Sequence, residues 1–173
     1  AVVRDGNGKF VTGLPREAFR VFENGVPQRL TNFAAQDSSL DLVLAIDVSG
    51  SMADSLADLK QAVSAFLAAV GSNDRVTVVA FNDSMFTLAT PQTSPDARTA
   101  AIDRLQAWGG TALYDVLSKS IDMLTQGTGR RALVLFTDGE DRSSQTTFAA
   151  VKEKLESTDA TLFAVGLGRG ADG

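Results

Sequence analysis

The run Leu40-Asp41-Leu42-Val43-Leu44-Ala45-Ile46-Asp47-Val48-Ser49-Gly50-Ser51-Met52 decides the fold: an apolar stretch stops at a carboxylate and turns through two hydroxyls into a helical pattern. A continuous apolar run such as Leu42 to Ile46 suits a strand covered on both faces, as in a parallel sheet with helices above and below it. The side chains that follow then lie at the carboxyl end of the sheet, where open α/β folds bind ligands. Asp47, Ser49 and Ser51 offer only oxygen, which a small hard cation such as Mg²⁺ prefers. The stretch also has a plainer reading, in which Ser51 caps the next helix and Asp47 ties down loop amides.

Downstream, apolar residues at Met52, Leu56, Leu59, Val63, Phe66, Leu67 and Val70 recur in steps of three and four, one face of a helix over Met52 to Val70. Arg75 to Phe81 reads as a second buried strand, Asn82-Asp83 as a turn, and Met85 to Ala89 as a short antiparallel return at an edge. Ser94 caps a helix that carries Pro95 in its first turn and runs to about Leu105. Trp108-Gly109-Gly110-Thr111 is a loop, followed by a helix over Ala112 to Leu124, a buried strand over Arg131 to Thr137, a helix over Thr146 to Leu155 and a strand over Ala160 to Leu167. This alternation predicts an α/β fold: a doubly wound, mostly parallel sheet with one antiparallel edge strand and helices on both faces.

Upstream the texture changes. Asp5-Gly6-Asn7-Gly8, Gly13-Leu14-Pro15 and Asn24-Gly25 separate short apolar pieces, and Asn-Gly is a strong hairpin signal because both residues tolerate positive φ. Strands are predicted at Val2–Arg4, Lys9–Val11, Arg20–Glu23 and Gln28–Phe33, with one helical turn over Pro15–Phe19. Residues 1–36 therefore read as a β-rich lead-in and residues 37–173 as the α/β domain.

Composition removes many chemistries. With no histidine and no cysteine, His-dependent triads, thiolate catalysis and the common zinc sites are excluded. The formal charge is −5 and no run of Lys and Arg stands out, which argues against a nucleic-acid partner. No apolar stretch reaches the ~20 residues needed to span a bilayer, so no membrane insertion of this segment is expected.

Two further loops point at the place where Asp47 lies. The strand ending at Phe136-Thr137-Asp138-Gly139 repeats the first one's logic, with a carboxylate at its carboxyl end. If the two strands are neighbours, Asp47 and Asp138 share a crevice and repel, and a divalent cation between them removes that cost. In Gly109-Gly110-Thr111, the glycines let backbone come close to a ligand and Thr111 presents a hydroxyl at a helix start. Asp138 as a turn residue and Thr111 as a cap are the plain alternatives.

Asp47-Val48-Ser49-Gly50-Ser51, then Thr111, then Asp138-Gly139 resembles the metal-ion-dependent adhesion site of the von Willebrand factor type A domain, the family that includes integrin inserted domains. The resemblance runs from about Leu40 to Gly168. It implies Mg²⁺, or Mn²⁺ or Ca²⁺ in its place, held by Ser49 and Ser51 directly and by Thr111, Asp47 and Asp138 directly or through water. It also implies an open coordination position for an acidic side chain of a protein partner, at the ~2.0–2.1 Å typical of Mg²⁺. Leu14 to Gly25 and Gln28 to Phe33 resemble the lead-in of a bacterial branch of such proteins that is usually exported, which implies a secreted or cell-envelope setting. The family pattern has a further strand and a final helix after Leu167, whereas this sequence stops at Gly173, so the domain reads as C-terminally truncated.

The leading functional expectation is a non-enzymatic, cation-dependent protein-binding module. A Mg²⁺-dependent phosphohydrolase with Asp47 as nucleophile is the rival from the enzyme class, set back by Ser49 standing where such enzymes keep a second Asp. A structural scaffold domain of an envelope assembly is the third possibility. Glu140 and Asp141 could contribute to a second cation site, but as an acidic pair at a helix N-terminus they are expected to interact with its dipole. Met52 is assigned to the core, and Trp108 either to the core or to a partner-facing anchor.

Overall fold

Alternating residues of the Leu40–Asp47 run go to opposite sides of one sheet, the period-two consequence of strand geometry. The computed structural model describes residues 3–9, 11, 13–31, 33, 39–124 and 130–167. It divides the chain into two compact units, Ala1–Ser38 and Ser39–Gly173.

In the first unit, β1 (Val21–Glu23) pairs antiparallel with β2 (Val26–Gln28) through a turn in which Asn24 and Gly25 have φ of 51° and 80°. Positive φ at both central residues is what the Asn-Gly pair supplies at low cost. The strand expected over Gln28–Phe33 is displaced toward the N-terminus, because the hairpin turn sets the register and brings Val26 opposite Glu23. The turn expected over Pro15–Phe19 is a short 3-10 helix, Arg16–Ala18. Of the two strands expected earlier, Val11 N donates to Val3 O at 2.9 Å, while Val2 and Phe10 lie outside the described residues.

The second unit holds β3 (Leu40–Asp47), α1 (Leu56–Ala69), β4 (Arg75–Phe81), β5 (Met85–Ala89), α2 (Pro95–Asp103), α3 (Leu113–Leu124), β6 (Arg130–Thr137), α4 (Phe148–Glu156) and β7 (Ala160–Gly166). Its five-stranded sheet has the order β5-β4-β3-β6-β7, parallel except for the β4–β5 edge pair. Leu42, Leu44 and Ile46 pack with Leu59 and Val63 of α1 and Ile102 of α2, while Val43 and Ala45 pack with Val116, Leu117 and Ile121 of α3 and Val151 of α4. The inner strands β3, β4 and β6 are therefore covered on both faces, as their unbroken apolar runs require, whereas edge strand β7 is mostly exposed. Ser94 accepts from Ala97 N and Thr147 from Ala150 N, so α2 and α4 begin at side-chain caps.

The first turns expected of the helix from Met52 are instead a 3-10 segment, Gly50–Ser55. Gly50 N donates across to Gly109 O at 3.0 Å, which ties the turn to another loop, and Met52 N bonds Ser49 O at 3.0 Å. Met52 lies in the core, as assigned. Central β3 has β4 on one side and β6 on the other, so the chain's winding reverses beside it and its carboxyl end opens at a topological switch point.

Candidate metal centre

Register brings the ends of three strands level. Asp47 is opposite Phe81 at the end of β4, and Ile46 is opposite Phe136, so Asp47 is level with Thr137 at the end of β6. The residues immediately beyond, Ser49, Asn82-Asp83 and Asp138, therefore share one edge of the sheet.

Asp47 is 0% exposed. Its Oδ1 accepts from Ser49 N at 2.9 Å and its Oδ2 from Thr137 Oγ1 at 2.6 Å. Burial pushes its pKa up, the bonds from Thr137 and Ser49 pull it down in part, and the Asp138 carboxylate raises it further. No Lys or Arg forms an ion pair with Asp47 or Asp138 among the described residues. A buried carboxylate with a second carboxylate as its charged neighbour is costly to ionise, and a cation relieves that cost.

Ser49 and Ser51 project together, their Oγ atoms 3.1 Å apart, with Ser49 buried. Thr111 is buried too, and its loop is stitched to the others by backbone. Trp108 N donates to Val48 O at 2.9 Å, Gly109 O accepts from Gly50 N, and Thr111 O accepts from Arg142 N and Ser143 N at 2.9 and 3.0 Å. Gly109 and Gly110 are needed for that approach. Gly109 has φ of +80°, and a Cβ on Gly110 would lie 2.3 Å from Asp83 Oδ1. Asp138 is half-buried, with Oδ1 accepting from Glu140 N at 3.2 Å.

The structure thus draws together the segments carrying all five residues singled out from the sequence. The two carboxylates and three hydroxyls on these segments offer only oxygen, the donor type that Mg²⁺, Mn²⁺ and Ca²⁺ prefer and softer metals do not. Among the described residues no group of three or more His, Cys, Asp or Glu side chains could hold a metal, so hydroxyls are needed to complete any such site.

Three residues take roles the sequence reading did not assign. Thr137 links Asp47 to Gly139, whose N donates to Thr137 Oγ1 at 3.0 Å. Asn82 is fully buried, with Nδ2 donating to Trp108 O at 3.1 Å and its main-chain carbonyl accepting from Ala112 N at 2.9 Å. Asp83 accepts from Gly110 N and Ser143 Oγ, which hold its pKa below the usual carboxylate range, the Gly110 bond most strongly. Their common signal is position, since Asn82-Asp83 follows β4 as Ser49 follows β3 and Asp138 follows β6.

Asp141 accepts from Tyr114 N at 3.3 Å and so caps α3, whereas Glu140 pairs with Arg142. The dipole expected to favour this acidic pair is thus met by Asp141 alone. Trp108 is 57% exposed and lies against Phe86, ring centroids 6.3 Å apart, which removes the core reading.

A family model described as von Willebrand factor type A domain matches residues 42–140. A search of curated proteins finds no match. Among solved structures, a von Willebrand factor type A protein from Catenulispora acidiphila is 25% identical with a TM-score of 0.66, over 78% of this chain and 34% of that one. An aerotolerance-related membrane protein from Bacteroides fragilis is 24% identical with a TM-score of 0.64, over 75% of this chain and 68% of that one. A manganese-loaded TRAP protein from Plasmodium vivax is 19% identical with a TM-score of 0.63, over 78% of this chain and 59% of that one. The chain thus spans about a third of the Catenulispora protein.

Proposed function

Because the chain belongs to the von Willebrand factor type A domain family, we propose that it is a divalent-cation-dependent protein-binding module. Asp47, Ser49, Ser51, Thr111 and Asp138 would hold Mg²⁺, or Mn²⁺ or Ca²⁺ in its place. When bound, such a cation supplies Lewis acidity and an exchangeable position that a partner's carboxylate can occupy. The observation that carries the reading is Asp47: fully buried, hydrogen-bonded through both oxygens, and facing another carboxylate instead of a base.

The chain's own residues have separable tasks in this scheme. Asp47 brings negative charge to the bottom of the crevice, and Thr137 and Ser49 N fix its orientation. Ser49 and Ser51 present neutral oxygens. Few formal negative charges leave a bound dication with residual positive charge, which favours an acidic side chain from a partner over a neutral one. The position two residues after Asp47 is Ser49, not a second Asp, so no proton-transfer group follows a would-be nucleophile and we assign no enzymatic role.

We take residues 1–36 as a lead-in and residues 37–173 as the family domain, placed in a secreted or cell-envelope setting. Likeness to a bacterial membrane protein supports that setting. Among the described residues no helix is long and apolar enough to cross a membrane.

Titration calorimetry of the chelator-treated protein with MgCl₂ and MnCl₂ tests the proposal. Saturable binding is expected, with complete loss in Asp47→Ala while the helical circular dichroism is retained. A folded wild-type sample that binds neither ion at millimolar concentration refutes it.

A further inference from the structure

Asp83 lies just past the end of β4, and its carboxylate joins two loops that come from distant parts of the chain. Oδ2 accepts from Gly110 N at 2.6 Å and Oδ1 from Ser143 Oγ at 2.9 Å. Gly110 directly precedes Thr111, and the Thr111 carbonyl accepts from Arg142 N and Ser143 N at 2.9 and 3.0 Å. Asp83, Gly110, Thr111 and Ser143 therefore close a ring. That ring ties the Thr111 loop to the loop that leaves β6 through Asp138.

The geometry around the ring leaves little slack. A Cβ on Gly110 would fall 2.3 Å from Asp83 Oδ1, and one on Gly109 would fall 2.9 Å from Oδ2. The neighbouring Asn82 fixes the base of the ring, accepting from Ser84 N at 2.9 Å through Oδ1 while its Nδ2 holds Trp108 O. Asp83 is exposed, yet both of its oxygens are engaged by the protein.

We propose that Asp83 is a positioning residue that splints the Gly109–Thr111 loop to the loop after β6, fixing Thr111 relative to Asp138 before a cation arrives. This rests on the cation site proposed above. Groups that orient metal ligands without touching the metal commonly change its affinity ~10–100-fold when removed. The splint acts through hydrogen bonds, so an isosteric side chain that keeps both bonds should keep most of it, even though charge strengthens each bond. Asn at position 83 can accept from Gly110 N through its oxygen and donate to Ser143 Oγ through its amide, preserving the ring.

The test compares Asp83→Ala, Asp83→Asn and Ser143→Ala with wild type in two measurements. The first is NMR hydrogen exchange of the Gly110 amide in metal-free protein, with Val78 and Leu133 amides as core references. Protection of Gly110 in wild type and in Asp83→Asn is expected, with ~10-fold or faster exchange in Asp83→Ala and unchanged core amides. Equal Gly110 protection in wild type and Asp83→Ala overturns the splint, and this holds whether or not the protein binds a cation.

The second measurement is Mn²⁺ affinity by calorimetry. Asp83→Ala is expected to lose ~10–100-fold, Ser143→Ala to fall between, and Asp83→Asn to stay within ~3-fold of wild type. If Asp83→Asn falls as far as Asp83→Ala, charge is what matters and the splint is overturned. Absence of Mn²⁺ binding by wild type sinks the proposed function, and the exchange measurement still decides the splint.

Discussion

Replacing Thr137 by Val isolates what holds Asp47 in its buried position. The substitution keeps the side chain's branched shape and removes only the hydroxyl, which donates to Asp47 Oδ2 at 2.6 Å and accepts from Gly139 N at 3.0 Å. A hydrogen bond to a charged group contributes about 1.5–3 kcal/mol and a neutral one about 1 kcal/mol. Part of the loss is recovered because Asp47, whose pKa burial already raises, can take up a proton when the bond is gone. The net expectation is a loss of about 2–3 kcal/mol. In urea, with m near 2 kcal/mol/M, this moves the midpoint down by about 1–1.5 M.

The assay is urea unfolding followed by far-ultraviolet circular dichroism with chelator present. The four α-helices among the described residues lie in the Ser39–Gly173 unit, so the signal reports on that unit. Thr137→Ser is the control: it keeps the hydroxyl, gives up a methyl group and should lose only about 1 kcal/mol. A Val variant as stable as the Ser variant would refute the reasoning, since Asp47 would then be held by something other than this bond.

Further outcomes follow from buried polar groups and from pH. Ser120 is 0% exposed and its Oγ has no hydrogen-bond partner among the described residues, so Ser120→Ala should be at least as stable as wild type and up to about 1 kcal/mol more so, read in the same urea experiment. Asp47 has a folded pKa raised above its ordinary 3.8, so its contribution to metal-free stability is fully present below that value and is lost as pH rises through the raised one. Asp83 and Asp115 have lowered values and act in the opposite sense, losing their contribution as pH falls. Asp47→Asn separates the effects: its stability relative to wild type should increase with pH from about 4 upward in chelator, and a flat difference would contradict the buried, raised Asp47. The rise in melting temperature caused by Mg²⁺ should fade as Asp47 protonates, a change that differential scanning fluorimetry across a pH series would detect.

Much of the fold was legible because the signals were local. β4 and β5 have the bounds expected from their apolar runs, Arg75–Phe81 and Met85–Ala89, and α3 starts one residue later than expected. The Asn24-Gly25 turn was readable because positive φ is a property of those residues themselves. What escaped depended on partners far away in the chain. The 3-10 turn at Gly50–Ser55 is joined to the Gly109 carbonyl, and periodicity carries no trace of such a bond.

Thr137 and Asp83 reach residues 90, 27 and 60 positions away. Read locally, one ends a strand and the other sits in a turn. Asp47, Ser49, Ser51 and Asp138 could be nominated from the sequence because each carries oxygen at or just past a strand end, and Thr111 because its hydroxyl stands just before a helix. The side chains that orient them were not, since orientation arises only when neighbouring strands align.

In the proposed site, oxygens from the loops after β3 and β6 and from the loop that opens α3 hold one divalent cation. Anomalous diffraction from a Mn²⁺-soaked crystal tests it most directly. One anomalous peak is expected within ~2.0–2.3 Å of the Ser49 and Ser51 Oγ atoms, with Asp47, Thr111 and Asp138 around it and one coordination position facing solvent or a neighbouring carboxylate. A well-ordered crystal with no peak between those serines, or with Mn²⁺ bound only elsewhere, would contradict it.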